Sequence, residues 1–295
     1  MLAGPTASGK TAAAIKIARH FNTEIISADS RQIYREMSIG TAVPSEDELR
    51  LVKHHFIHSI SINQNYDVSS YEKSALELLD VLFKKHRLVL LTGGSGLFID
   101  AVCHGLDNIP EISMEIRQKV QKQYVQGGID SLQQVLSNLD PEYYQVVDKQ
   151  NPRRLQRAIE VCFQTGKPFS FFRKRLAQPR DFETIWTALK LDRKELINRI
   201  NLRVEKMMED GLLAEASSLY QWKDLNALNT VGYKELFGYL DGQYDLEEAV
   251  DRVKLNTRRY AKRQMTWFRK NKTYKWFHPD ELEALIAYAE SRVLD

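Results

Sequence analysis

The sequence predicts an α/β protein: a P-loop NTPase-like parallel sheet core, interrupted by an inserted all-helical domain and completed by C-terminal helices. Three observations carry that prediction. Short apolar runs alternate with helical patterns through the first 110 residues, the mark of βαβ units. Gly4-Pro5-Thr6-Ala7-Ser8-Gly9-Lys10-Thr11 matches GxxxxGK[ST] in full. Residues 111–183 are polar and helical, with no convincing strand. The expected division is therefore 1–110 with 184–295 as the core, and 111–183 as the insertion.

Taken in order, Lys10 to Arg19 reads as a helix and Glu24 to Ala28 as a short buried strand. Ser45 and Glu48 have the spacing of a capping box, so a helix starts there. His55 to Ile60 reads as a strand. Ser69 with Glu72 opens a stronger helix, in which Ala75, Leu76, Leu79, Leu82 and Phe83 recur at helical steps. Leu88 to Leu91 is a continuous apolar strand running into Gly93-Gly94-Ser95-Gly96. In the insertion, Gly127-Gly128 and Asn151-Pro152 are breaks. Strand character returns at Thr184 to Leu189, followed by helices over Arg193–Asp210, Leu212–Trp222, Gly232–Leu240 and about Leu246–Arg269.

Composition excludes several classes. With 295 residues, 43% hydrophobic and 27% charged, the chain has the length of about two ordinary soluble domains. No apolar run approaches the ~20 residues of a membrane span, and residues 1–20 have no signal-peptide profile. Cys103 and Cys162 are too far apart for a CxxC site, which fits a reducing cytoplasm. The net charge of +3 conceals an uneven distribution: ten of the 42 basic residues lie in 252–275, where there is no acidic residue, and the remainder of the chain is net acidic.

Several groups could carry chemistry. In the P-loop, glycines let backbone amides curl round a phosphate, Lys10 adds a charge, and the Thr11 hydroxyl can hold Mg²⁺. Asp29 directly follows the second strand, at the sheet edge that faces the ligand crevice, where it can bind Mg²⁺, act as a base, or cap the next turn. Gly93-Gly94-Ser95-Gly96 closes another strand at that edge and either approaches a ligand or makes a tight turn. Arg199 and Arg203, one helical turn apart, can clamp a diphosphate. His54, His55 and His58 do not have metal-site spacing and read as structural or surface residues. The basic stretch 252–275, interleaved with Tyr260, Trp267, Phe268 and Tyr274, suits an RNA backbone. A second basic cluster (Arg153, Arg154, Arg157, Lys167, Arg173, Lys174, Arg175) lies in the insertion.

Together these segments resemble the tRNA dimethylallyltransferase (isopentenylpyrophosphate:tRNA transferase) family. The resemblance runs in order through GPTASGKT at 4–11, IISADSRQIYREMSIGTAVPS at 25–45, LLTGGSGLFIDAVCHGL at 90–106 and NPRRLQRAIEVCFQTGKP at 151–168. It continues through RINLRVEKMMEDGLLAEA at 199–216, TVGYKEL at 230–236 and TRRYAKRQMTWFRK at 257–270. It implies transfer of a dimethylallyl group from its diphosphate to the exocyclic amine of the adenosine on the 3′ side of the anticodon. Gly4, Pro5, Thr6, Ala7, Ser8, Gly9, Lys10, Thr11, Arg199 and Arg203 would hold the diphosphate, with Mg²⁺ at Thr11. Asp29, Thr11 and Arg203 would be catalytic.

The resemblance also implies tRNA contacts from Asp29, Ser30, Arg31 and Gln32, and from Ser95 and Arg117. Further contacts would come from Arg153, Arg154, Leu155, Gln156 and Arg157, and from Asn229, Thr230, Val231, Gly232, Tyr233 and Lys234. The helical insertion would close over the anticodon stem-loop. The family commonly has Thr where Ser95 stands, and a longer strand before the P-loop than Met1-Leu2-Ala3. With no zinc-finger extension, the chain looks bacterial in type, and it is expected to be a cytoplasmic monomer. Three other readings share parts of the pattern: a prenyltransferase acting on free adenine nucleotides, a small-molecule kinase holding ATP on the P-loop, and a non-catalytic RNA-binding module.

Overall fold

A computed structural model describes residues 1–174 and 177–293. Arg175, of the second basic cluster, lies outside the described residues. The chain forms two compact units, Met1–Cys103 together with the segment from Arg180 onward, and His104–Pro179.

The first unit is built on six parallel strands, β1 (Leu2–Ala3), β2 (Ile25–Ser27), β3 (His54–His55), β4 (Leu90–Gly93), β5 (Thr187–Leu189) and β6 (Lys275–Phe277), in the order β3-β2-β4-β1-β5-β6. Consecutive residues on the inner strands point to opposite faces, as period 2 demands. Leu2, Ile25, Leu90 and Leu189 pack with the helix Lys10–His20 on one face. Ala3, Ile26, Leu91 and Ala188 pack with Tyr71, Phe98 and Phe268 on the other. Both faces are covered, so the strands read as unbroken apolar runs. The strand order reverses beside β1, with β2 and β3 to one side and β5 and β6 to the other, and at such a point a crevice opens at the carboxyl ends. β1 is short, yet it pairs with both β4 and β5, and the Met1 carbonyl extends the ladder by accepting from Thr187 N at 3.0 Å.

Three local expectations are corrected. The strand expected at 55–60 stops at His55, because Phe56 (φ 61°) and His58 (φ 48°) enter the left-handed region, and Ile60 keeps only an isolated bridge to Tyr34. The helix expected to begin at Ser69 runs over Val68–Leu82, capped by Asp67, whose side chain accepts from Ser70 N. β6 is a three-residue edge strand that starts at Lys275, the last residue of the basic stretch, and runs through Trp276 and Phe277, where the sequence reading places no strand.

The helical unit contains Met114–Leu139, Pro141–Val146, Pro152–Thr165 and Phe169–Phe172. The first is broken at Gly128 (φ 63°), and Asn151 caps the third, with Pro152 at its first position. Val120, Leu132, Leu136, Leu155, Ile159 and Cys162 form its core. Asp140 is buried there, accepting from Tyr143 N, Ser170 N and Ser170 Oγ.

Candidate active site

The first wall of the site is backbone. β1 ends at Ala3, and the chain turns through residues 4–9 into the helix Lys10–His20. Ala7 (φ 62°) and Gly9 (φ 87°) bend the loop through the left-handed region. No side chain caps the helix, and its first turn carries no acidic residue, so its amides are left for an anion. Ser8 Oγ is fully buried in this loop and has no hydrogen-bond partner among the described residues.

A cavity of about 500 Å³ opens on the loop. Besides residues 6–11, its lining includes Asp29, Arg31, Gln32, Gly93, Gly94, Arg203 and the segment 230–232. Lys10 Nζ donates to the Pro5 carbonyl at 2.7 Å. Burial first, and then the Arg203 charge, push Lys10 down to about 7, while Asp29 pulls it the other way. Burial lowers Arg203 as well, against the same carboxylate. Lys10 and Arg203 are both desolvated and share the Asp29 carboxylate, so a diphosphate beside them would supply negative charge that their burial leaves unmatched.

Asp29 makes the turn that is one of the readings the sequence offers for it. Its Oδ1 accepts from Arg31 N at 2.9 Å and Gln32 N at 3.3 Å, which makes the turn after β2. The same residue lines the cavity.

Gly93 and Gly94 are there for close approach. A Cβ on Gly93 would lie 2.2 Å from the Ala28 carbonyl oxygen, and one on Gly94 would lie 2.3 Å from Gln264 Nε2. Gln264, on the helix Leu246–Phe268, is buried and joins two strand ends: its Oε1 accepts from Thr6 N at 2.8 Å, and its Nε2 donates to the Gly94 carbonyl at 2.9 Å. One turn away on the same face, Tyr260 meets Ser95 and Asp29, and burial foremost lifts its phenol to about 12. Trp267 donates to Asp100 at 2.9 Å and fills the space a Cβ on Gly96 would need. Tyr260, Gln264 and Trp267 recur at i, i+4 and i+7. That spacing is the signal that separates an inward-facing stripe, of which Tyr260 and Gln264 line the cavity, from the cations around it.

The other expected residues fall into distinct places. Arg203 reaches the cavity; Arg199 does not line it, but stands beside Gly9 and pairs with Glu195 at 2.9 Å. Ser95 Oγ accepts from Ser30 N at 2.9 Å and donates to Ser30 Oγ at 3.2 Å, so it fastens the turn after β4 to the turn after β2. Arg31 donates to the carbonyls of Asn226 and Ala227. Thr230, Val231 and Gly232 line the cavity, whereas Tyr233 is fully buried, Lys234 is exposed and Asn229 lies outside the lining.

In the helical unit, Arg117, Arg153 and Arg154 are exposed, Gln156 bonds Gln121 at 2.8 Å, and Arg157 stands 3.9 Å from Glu160. Leu155 is enclosed in that unit's core, so its side chain is not presented to an RNA. The basic stretch 252–275 is likewise only partly a surface. Lys254 pairs with Glu205 at 2.7 Å, Arg252 with Glu248 at 2.7 Å, and Arg258 bonds Asn201 at 2.9 Å. Arg259, Lys262, Arg263, Arg269 and Lys270 are exposed. The three histidines each meet protein: His54 the Val52 carbonyl, His55 the Glu24 carboxylate and His58 the Ser38 hydroxyl.

Glu215 lies inside the resembling segment 199–216, but no local pattern there marks it as a partner of the turn 38–40. It takes three consecutive amides, those of Ser38, Ile39 and Gly40, together with the Tyr233 hydroxyl.

Comparison with known proteins adds an independent line. The family model described as IPP transferase matches residues 32–271. A protein of Christiangramia forsetii named tRNA dimethylallyltransferase is 53% identical over 291 residues, spanning 98% of this chain and 96% of that protein. One of the same name from Flavobacterium johnsoniae is 50% identical, spanning 94% of this chain and 91% of that protein. Among solved structures, the full-length tRNA isopentenylpyrophosphate transferase of Bacillus halodurans is 33% identical, with a TM-score of 0.73 over 99% of this chain and 95% of that one. A eukaryotic dimethylallyltransferase captured acting on tRNA is 25% identical, with a TM-score of 0.76 over 90% of this chain and 68% of that one.

Proposed function

This chain belongs to the tRNA dimethylallyltransferase (IPP transferase) family, and we propose that its cavity performs the transfer with the diphosphate seated on residues 4–11 and the accepted proton held at Asp29. The observation that carries this reading is the convergence of Lys10, Arg203 and Asp29 on one cavity at the carboxyl ends of the strands.

The acceptor is the exocyclic amine of an adenosine beside the anticodon. Its lone pair is delocalised into the ring, so attack improves as a base removes the N–H proton. A new N–C bond forms to the allylic carbon while the C–O bond to the diphosphate breaks. The bonding pair leaves with the diphosphate, and the proton goes to the Asp29 carboxylate. Lys10, Arg203 and the amides at the helix start stabilise the charge that builds on the leaving group. The Thr11 hydroxyl and Asp29 carboxylate lining the cavity are hard oxygen donors of the kind Mg²⁺ accepts, with Thr11 its holder. When bound, the ion would add Lewis-acid neutralisation of the diphosphate.

The adenine must leave its stack to enter a cavity of this size, which is least costly in a single-stranded loop. The exposed cations on the helix Leu246–Phe268, and Arg153 and Arg154, supply phosphate contacts. The test is direct: incubate the protein, Mg²⁺ and dimethylallyl diphosphate with unmodified tRNA or with AMP, digest, and weigh the nucleosides. A five-carbon gain on a tRNA adenosine is expected. Gain on AMP alone would move the reading to free nucleotides, and gain on neither would end it.

A further inference from the structure

The cavity has two kinds of wall. One is the charged cradle of residues 6–11 with Arg203. The other is apolar, and two distant segments contribute to it: Ala42, Val43 and Pro44 after β2, and Val231 before the helix Tyr233–Leu240. Neither segment is held by a regular ladder. One carboxylate on a third element, the helix Leu212–Leu219, binds the turn 38–40 that leads into the first and the hydroxyl of Tyr233, which directly follows the second, while Gly232 N donates to Glu235 at 2.8 Å.

Glu215 Oε2 accepts from Ser38 N at 3.0 Å and Ile39 N at 2.8 Å, and Oε1 accepts from Gly40 N at 2.9 Å. Oε1 also accepts from Tyr233 Oη at 2.6 Å. Three successive amides closing on an anion form a nest, and here the anion is a side chain. The opposite side of the same turn is held as well, since Gln32 Nε2 donates to the carbonyls of Thr41 at 3.2 Å and Ala42 at 2.9 Å. Contact between the two segments is close enough that a Cβ on Gly40 would lie 2.6 Å from the Tyr233 ring. Glu215 is not among the cavity-lining residues, so it works through the walls and not on the reactants.

We propose that Glu215 is a positioning residue whose carboxylate fixes the spacing between segments 40–44 and 230–232, and that this spacing sets the prenyl chain length the enzyme accepts. The inference rests on the prenyl-transfer reading above. A pocket discriminates apolar chains by fit, at tens of fold per added group, and fit is lost when a wall can move. The diphosphate cradle is built from other residues and keeps its affinity.

The experiment compares wild type, Glu215→Gln and Tyr233→Phe. It measures kcat and KM for dimethylallyl diphosphate, the preference for dimethylallyl over geranyl diphosphate in competition on tRNA, and inhibition by inorganic diphosphate. For Glu215→Gln, KM for dimethylallyl diphosphate rises about tenfold and the preference for the five-carbon chain falls about tenfold, while inhibition by inorganic diphosphate stays within about twofold. Tyr233→Phe keeps the three amide bonds and shifts the preference in the same direction by about threefold. It carries the test alone should Glu215→Gln fail to fold. An unchanged chain-length preference in a folded variant overturns the proposal. So does an equal loss of inorganic diphosphate binding, or a rise confined to KM for tRNA. Absence of prenyl transfer in wild type would instead remove the functional reading itself.

Discussion

The two ends of the cavity are made in opposite ways. The diphosphate end comes from one unbroken stretch, residues 4–11, whose backbone does the binding. The far end comes from residues 40–44 and 230–232, and Glu215 ties their flanks together, reaching the amides of 38–40 across 175 or more positions and the Tyr233 hydroxyl across 18. Backbone cradles need glycine at fixed spacing, so they leave a motif. Side-chain staples need only a carboxylate at the right place in space, so although segments 25–45, 199–216 and 230–236 carry the family resemblance, no spacing within them shows which residues meet.

That difference can be broken from either end, and the largest effect belongs to the group between them. Asp29→Ala removes the proton acceptor and is expected to lower transfer by about 10²–10⁴-fold, measured as prenylated nucleoside per minute at saturating substrates. Inorganic diphosphate binding should persist, because the cradle is untouched. Gln264→Ala, which frees both Thr6 N and the Gly94 carbonyl, loses two hydrogen bonds of about 1 kcal/mol each. It should weaken dimethylallyl diphosphate binding roughly tenfold, read by calorimetric titration, and so bring a long-range side-chain contact to bear on the motif end. The smallest effect lies outside the cavity. Replacing Arg153 and Arg154 by Ala should lower tRNA affinity severalfold and flatten the dependence of log K on log salt by about 1.4–1.8 units, with dimethylallyl diphosphate binding unchanged.

The same contrast explains what could be read in advance. The P-loop, the capping box at Ser45 and the break at Asn151-Pro152 are local, and their physics is contained in four to eight adjacent residues. The alternation of Leu2/Ala3, Ile25/Ile26 and Leu90/Leu91 between two cores was hidden, because strands buried on both faces lack a polar phase. β6 is hidden by its length, since the three residues Lys275–Phe277 are too few to show a strand pattern. The basic stretch gave a partial answer. Composition reports the ten cations, but only the structure separates Lys254 and Arg258, held by Glu205 and Asn201, from exposed Lys262 and Arg263. Gln264 and Tyr260 stood among those cations at helical spacing, legible only if the stripe is read for its uncharged face.

The central claim is that the motif end waits for an anion, with Lys10 held near neutrality by burial and by Arg203 until the diphosphate arrives. A bound diphosphate raises the Lys10 pKa again. Affinity is then fully expressed below about pH 7 and falls as pH climbs above it, because the protein must take up a proton to bind. Calorimetric titration of dimethylallyl diphosphate at pH 8, without RNA, in two buffers of different ionisation enthalpy counts that proton. Uptake of about one proton per site, absent in Lys10→Met, is the predicted result. Binding with no proton uptake, or uptake that survives Lys10→Met, would contradict it.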